Sequence, residues 1–177
     1  MNRAQDIALV AYDVSWPDRF LKTKDQLREV FPTESIDHIG STSVPGLSSK
    51  DTIDVLVGVP DVGQALTSTI LDRLTVLGFE YVPASFDDDD DHAFLHRIIG
   101  EHRSDHVHVM QLGSDALQGR LLFRDYLRAT PTARAKYEWA KKDLAVRFAE
   151  HRDDYVKRKQ PIVEALMEQA RAWEGSH

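Results

Sequence analysis

His38-Ile39-Gly40-Ser41-Thr42-Ser43-Val44-Pro45-Gly46-Leu47, followed after four residues by Thr52-Ile53-Asp54-Val55-Leu56-Val57, is the stretch whose reading decides the fold. Ser35 to Ile39 reads as a short strand, and Ile53 to Val59 as a second, β-branched and nearly all apolar. Between them lies a turn rich in glycine and hydroxyls, closed by Pro45 and Gly46. Such a turn can aim several backbone N–H groups and three hydroxyls at one spot, which is how phosphate oxygens are cradled. Asp54 interrupts the apolar second strand, and a buried carboxylate is costly unless it is paired, hydrogen-bonded or metal-bound. The residues alone leave two readings open. One is phosphate binding beside a cation; the other is a tight turn whose serines satisfy their own backbone while Asp54 faces solvent.

The surrounding chain supplies helices and further strands. Ile7 to Tyr12 is expected as an edge strand or an extended lead-in. Ser15-Trp16-Pro17-Asp18 reads as a helix start with Ser15 as N-cap, and Pro32 ends that helix. Val62 to Leu77 carries apolar residues at three-to-four spacing and predicts a crossover helix closed by Gly78. Phe79 to Val82 makes a third strand. The five acids Asp87 to Asp91 repel one another and predict a loop; as a Ca²⁺ site their spacing fits no EF-hand. Ala93 to Ile99 and His106 to Leu112 form a hairpin around Gly100–Asp105, with His106 and His108 on one face and Val107 and Val109 on the other. Helices follow over Ser114–Ala129, Pro131–Glu150 and Asp153–Trp173, the last bending or restarting near Pro161. Strands followed by helices imply an α+β fold in one domain.

With 177 residues and 42% hydrophobic content, the chain can bury one sizeable core. The net charge of −7 makes nucleic acid a poor partner, because duplex affinity comes from neutralising phosphates. Without cysteine there is neither a disulfide nor a thiolate metal site. No apolar run approaches the ~20 residues that span a bilayer, and Met1 to Asp6 lack a signal peptide's apolar core. The expected location is cytoplasmic, with no membrane partner.

The motif HIGSTSVPGL, with Lys50 and IDVLV, resembles the signature of the GrpB family, a branch of the nucleotidyltransferase superfamily. Phe94-Leu95-His96, His106-Val107-His108-Val109, Phe123-Arg124-Asp125-Tyr126-Leu127-Arg128, Tyr137 with Lys141, and Tyr155 with Lys159 extend the resemblance from about residue 8 to about residue 170. It implies a small mixed sheet of nucleotidyltransferase type backed by helices, a sheet-containing core over 1–113 and a helical segment over 114–174.

The superfamily pattern further implies a Gly-Ser turn, two acids at i and i+2 on the next strand, and a third acid on a later strand, together holding two divalent cations. This chain keeps the turn and Asp54. It has Leu56 at i+2, His106 and His108 where the third acid is expected, and Asp51 where the family pattern has proline after Lys50. Asp54, His106 and His108 are therefore the expected catalytic and metal-ligating residues. The cation would be Mg²⁺ or Mn²⁺, with Zn²⁺ admitted by the imidazoles. Gly40, Ser41, Thr42, Ser43, Lys50 and Arg124 are the expected phosphate contacts; each of the charged ones also reads as a surface ion pair. His38 reads as a support for the turn. Arg128, Tyr137, Lys141, Tyr155 and Lys159 read equally as ligand contacts or as amphipathic helix residues.

Two functions follow. One is a protein that binds a nucleotide or other phosphate-bearing ligand with a divalent cation and transfers a nucleotidyl group. The other is a non-catalytic, partner-binding domain, since the family resembles a domain fused to dephospho-CoA kinase.

Overall fold

The computed structural model describes residues 8–83 and 91–176. A five-stranded mixed sheet has the order β1-β2-β5-β4-β3, formed by β1 (Ser35–Ile39), β2 (Ile53–Val59), β3 (Phe79–Tyr81), β4 (His92–Ile99) and β5 (His102–Gln111). β2 and β5 run parallel, so Asp54 lies directly beside His106 and Leu56 beside His108. The other pairs are antiparallel.

The two-residue period of each strand sorts the sheet into two faces. Val55, Val57, Val107 and Val109 turn to one face and pack with Trp16, Phe20 and Leu27 of α1 (Trp16–Val30) and Leu74 of α3 (Ser68–Val76). The opposite face carries Asp54, Leu56, His106, His108 and Met110. Leu56, Met110 and Ile39 pack there on Leu117 of α4 (Asp115–Ala129). Beyond that patch, α4, α5 (Pro131–Arg147) and α6 (Arg152–Glu174) build their own apolar cluster around Tyr126, Tyr137 and Leu166. Val44 and Leu47, from the far end of the motif turn, plug into this second cluster. The turn is thereby wedged between the sheet and the helical segment.

β1 and β2 form over the expected residues, and so does α4 apart from its N-cap. Other boundaries differ, each for a local reason. The 62–77 helix is two pieces, α2 (Val62–Ala65) and α3, because Thr67 takes an extended backbone and its hydroxyl accepts from Ile70 N–H as a fresh N-cap. α5 stops at Arg147, where Phe148 leaves helical geometry. α6 runs unbroken through Pro161 rather than restarting there. β5 begins at His102, not His106, because Gly100 at φ +66° turns the hairpin within two residues. Of the expected Ile7 to Tyr12 segment, Ile7 lies outside the described residues, and residues 8–12 make one antiparallel bridge, Val10 to Ser49, and no strand. Ser15 holds the N-cap position without capping; its N–H instead donates to Asp13 Oδ1. Asp87 to Asp90 of the acidic run lie outside the described residues, while Asp91 sits in a turn. No helix among the described residues is long and apolar enough to cross a membrane.

Candidate functional site

The motif turn is built by Gly40, whose φ of +70° reverses the chain as it leaves β1. Ser41–Ser43 then make a single 3-10 turn. Glycine is also required by space. A Cβ at position 40 would stand 2.2 Å from Asp54 Oδ2, so the carboxylate packs directly against the turn's backbone.

Three hydroxyls were expected to converge, but the turn sends them to three different partners. Ser43 Oγ donates to the Gly40 carbonyl at 2.6 Å and closes the turn on itself. Thr42 Oγ1 pairs at 3.0 Å with His38 Nε2, and the His38 ring stacks on Phe20 with centroids 4.7 Å apart. Burial, chiefly, lowers His38 to about 4, so its neutral ring acts as a strut. Only Ser41 faces the cleft, where its Oγ accepts from Lys141 Nζ at 2.8 Å.

Asp54 and His106 form a bonded pair, Oδ1 to Nδ1 at 3.0 Å, with side chains about one quarter exposed. Partial burial pushes the Asp54 carboxyl up, but the His106 bond and the nearby positive side chains outweigh it and hold the group below its usual range. His106 Nε2 is buried without a partner. His108 turns to His92, Nδ1 to Nε2 at 2.9 Å, and burial drives it well below the ordinary imidazole range. The expected ligand trio is thus not a chelate: His106 spends its inward nitrogen on Asp54, and His108 shares one with His92. Among the described residues no group of three or more His, Asp or Glu side chains is arranged to hold a metal ion. Leu56, at i+2, is 1% exposed in the core. The donor set does not fit a two-cation centre.

Arg124 lines the larger cavity, but its donors are engaged. Nε and Nη2 grip Asp125 at 2.7 and 3.0 Å, while Nη1 reaches Asp37 and the His38 carbonyl at 3.3 and 3.2 Å. It ties α4 to β1. Lys50 lies in the smaller cavity with its ammonium 5.6 Å from the Tyr155 ring centroid.

Two cavities meet at Ser41, Asp54 and Lys159. The larger, about 540 Å³, lies under α4 and α6 and mixes Phe123, Val163 and Met167 with Arg120, Arg124 and Gln160. The smaller, about 200 Å³, brings Lys50, Lys141 and Lys159 around Asp54 and His106. Sequence reasoning reads Lys141 equally as a ligand contact and as a helix residue, and does not name Arg120. The signal for Lys141 was legible: it stands on the buried stripe of α5 with Tyr137, Ala140 and Leu144. A lysine on such a stripe has a polar task to perform.

Known proteins resemble this chain over most of its length. Residues 6–169 match the family model described as GrpB protein. A UPF0157 protein of Streptomyces coelicolor is 33% identical over 96% of this chain and 87% of its own length. UPF0157 protein YqkA of Bacillus subtilis is 31% identical over 94% of this chain, which spans 48% of that relative. A dephospho-CoA kinase of Mycolicibacterium paratuberculosis is 28% identical over 96% of this chain and 47% of the kinase. Among solved structures, the conserved protein GrpB from Enterococcus faecalis superposes with a TM-score of 0.83 at 26% identity, over 94% of this chain and 99% of that one. The Cid1 poly(U) polymerase shares the fold alone, with a TM-score of 0.53 at 13% identity over 78% of this chain and 44% of the polymerase.

Proposed function

We propose, from the premise that the chain belongs to the GrpB family and has a nucleotidyltransferase-like fold, that its cleft binds a nucleotide or another phosphate-bearing small molecule. The observation that carries this reading is Lys141. It is 3% exposed, it donates to Ser41 Oγ of the motif turn, and its ammonium faces the lobe that Lys50 and Lys159 also line. A buried cation beside a Gly-Ser turn is suited to a phosphate oxygen. The larger lobe has the mixed apolar and polar lining that suits the rest of such a ligand, with Phe123 as a ring on which a base can stack.

Nucleotidyl transfer by two cations has one carboxylate to draw on among the described residues lining the two lobes, Asp54, and no step is assigned to metals. In the transferase version of this reading, Asp54 lies at the junction of the two lobes and orients the attacking hydroxyl, with pyrophosphate as the product to assay. The second reading is a non-catalytic domain that holds a CoA-related ligand or a protein partner. The match to half of a dephospho-CoA kinase favours it specifically.

Calorimetric titration with ATP, GTP, CTP, UTP and CoA, with and without Mg²⁺ or Mn²⁺, tests both. Saturable binding of a triphosphate supports the first reading, and binding of CoA alone supports the second. If no phosphate compound binds, the proposed function is wrong.

A further inference from the structure

Among the described residues, the smaller lobe combines a deficit of metal ligands with a buried lysine ammonium that has no carboxylate within ion-pair distance. On the first count, Asp54 is the one carboxylate among the described residues that line the lobe. Its strand neighbour at i+2 is a core leucine, and its cross-strand neighbour His106 is bonded to it through Nδ1 while Nε2 is sealed from solvent. Two divalent cations need several hard oxygen ligands, and the described residues lining the lobe offer one carboxylate.

On the second count, Lys141 Nζ has Ser41 Oγ at 2.8 Å and the Ser48 carbonyl at 2.5 Å, with the Tyr137 ring centroid 5.0 Å away. No carboxylate lies within ion-pair distance of it among the described residues. The nearest acid on its own helix, Glu138, is spent on Ser48 and Lys142. Lys159 and Lys50 approach the Tyr155 ring at 5.9 and 5.6 Å, so one aromatic side chain holds two further ammonium groups at the lobe. Among the described lining residues, the buried Lys141 and the half-buried Lys159 stand against the single carboxylate of Asp54. A buried ammonium without a counter-charge is costly until an anion arrives.

We propose that Ser41, Lys141 and Lys159 form a polyphosphate subsite that binds its anion without a divalent cation, the ammonium groups standing where metals serve in two-cation sites. This rests on the phosphate-binding reading above and deepens it. Asp54 then opposes the anion instead of recruiting a cation to it, which inverts the expected effect of removing its charge.

The test uses inorganic pyrophosphate and tripolyphosphate as probes, titrated calorimetrically into the full chain in EDTA and again in Mg²⁺. The subsite predicts saturable binding in EDTA, no tighter in Mg²⁺, and tightened severalfold by Asp54→Asn. Lys141→Met and Lys159→Gln should each weaken it tenfold or more. Circular dichroism checks that each variant is folded, and Lys159, at the lobe's edge, carries the test if Lys141→Met fails to fold. Binding that requires Mg²⁺, or is lost in Asp54→Asn, overturns the cation-free subsite and leaves the phosphate-binding reading standing. No binding of either probe or of any nucleotide under any condition overturns both.

Discussion

At the residue scale, Gly40 and Lys141 set the site. Gly40 carries a positive φ and has an Asp54 oxygen where its Cβ would be. Gly40→Ala is expected to cost about 1–3 kcal/mol, from left-handed strain plus displacement of the carboxylate. At roughly 2–4 °C per kcal/mol for a chain of this size, the melting temperature should fall measurably. Lys141 gives a pH signature. Burial, and then the Lys159 ammonium, lowers it to about 7 from an ordinary 10.5, with Glu138 and Asp54 opposing and Lys142 adding to the shift. Between these values the unfolded chain binds more protons than the folded one, so this group's contribution to stability rises with pH from about 7 to about 10.5 and is at its worst below 7. Replacing a buried charge by an apolar side chain of similar volume is often neutral or stabilising by about 1–4 kcal/mol. Lys141→Met should therefore stabilise the unliganded protein most below pH 7, with the gain fading by pH 10. Thermal unfolding of both proteins across that range measures it, and a gain that grows with pH would contradict the assignment.

At the element scale, the sheet is pinned to α1 by a buried polar knot. Asp105 on β5 accepts from Thr23 Oγ1 at 2.7 Å, from Ser104 Oγ at 2.6 Å and from Arg97 Nε at 2.8 Å. Removing one partner of such a pair strands the other without compensation. Asp105→Ala is expected to cost about 3 kcal/mol, read as a lower midpoint in denaturant unfolding, with Asp105→Asn milder because it keeps an acceptor. This knot also shows where sequence reading stops. The β-branched run of Ile53–Val59 and the helical periodicity of α4 are local signals and could be read directly. That Asp105 belongs to β5 at all depends on the two-residue turn at Gly100, which the hairpin pattern around Gly100–Asp105 does not specify. The break between α2 and α3 likewise hung on one capping hydroxyl, Thr67, inside an otherwise continuous helical pattern.

At the scale of the whole molecule, the cleft exists because a parallel β2–β5 pair sets Asp54 beside His106, while α5 brings Lys141 and α6 brings Lys159 and Tyr155 across to the same spot, where Lys50 of the loop before β2 meets the Tyr155 ring. Asp54, Ser41 and His106 were legible from the motif and its strand period. The sequence leaves Lys141 evenly between a ligand contact and a helix residue, since its partner Ser41 lies 100 positions away. Thr42 and Ser43 were read as ligand contacts because their types suit that task, but where each hydroxyl points is fixed by His38 and the Gly40 carbonyl. The account's central claim is that a phosphate group sits against Lys141, between the two halves of the molecule. The most direct measurement is an NMR titration of ¹³Cε-labelled lysines, with Lys141 assigned by its loss in Lys141→Met, in the absence and presence of saturating pyrophosphate. The account predicts that the Lys141 pKa, near 7 in the unliganded protein, rises by at least one unit when the anion is bound. A Lys141 signal whose titration is unmoved by pyrophosphate would contradict it.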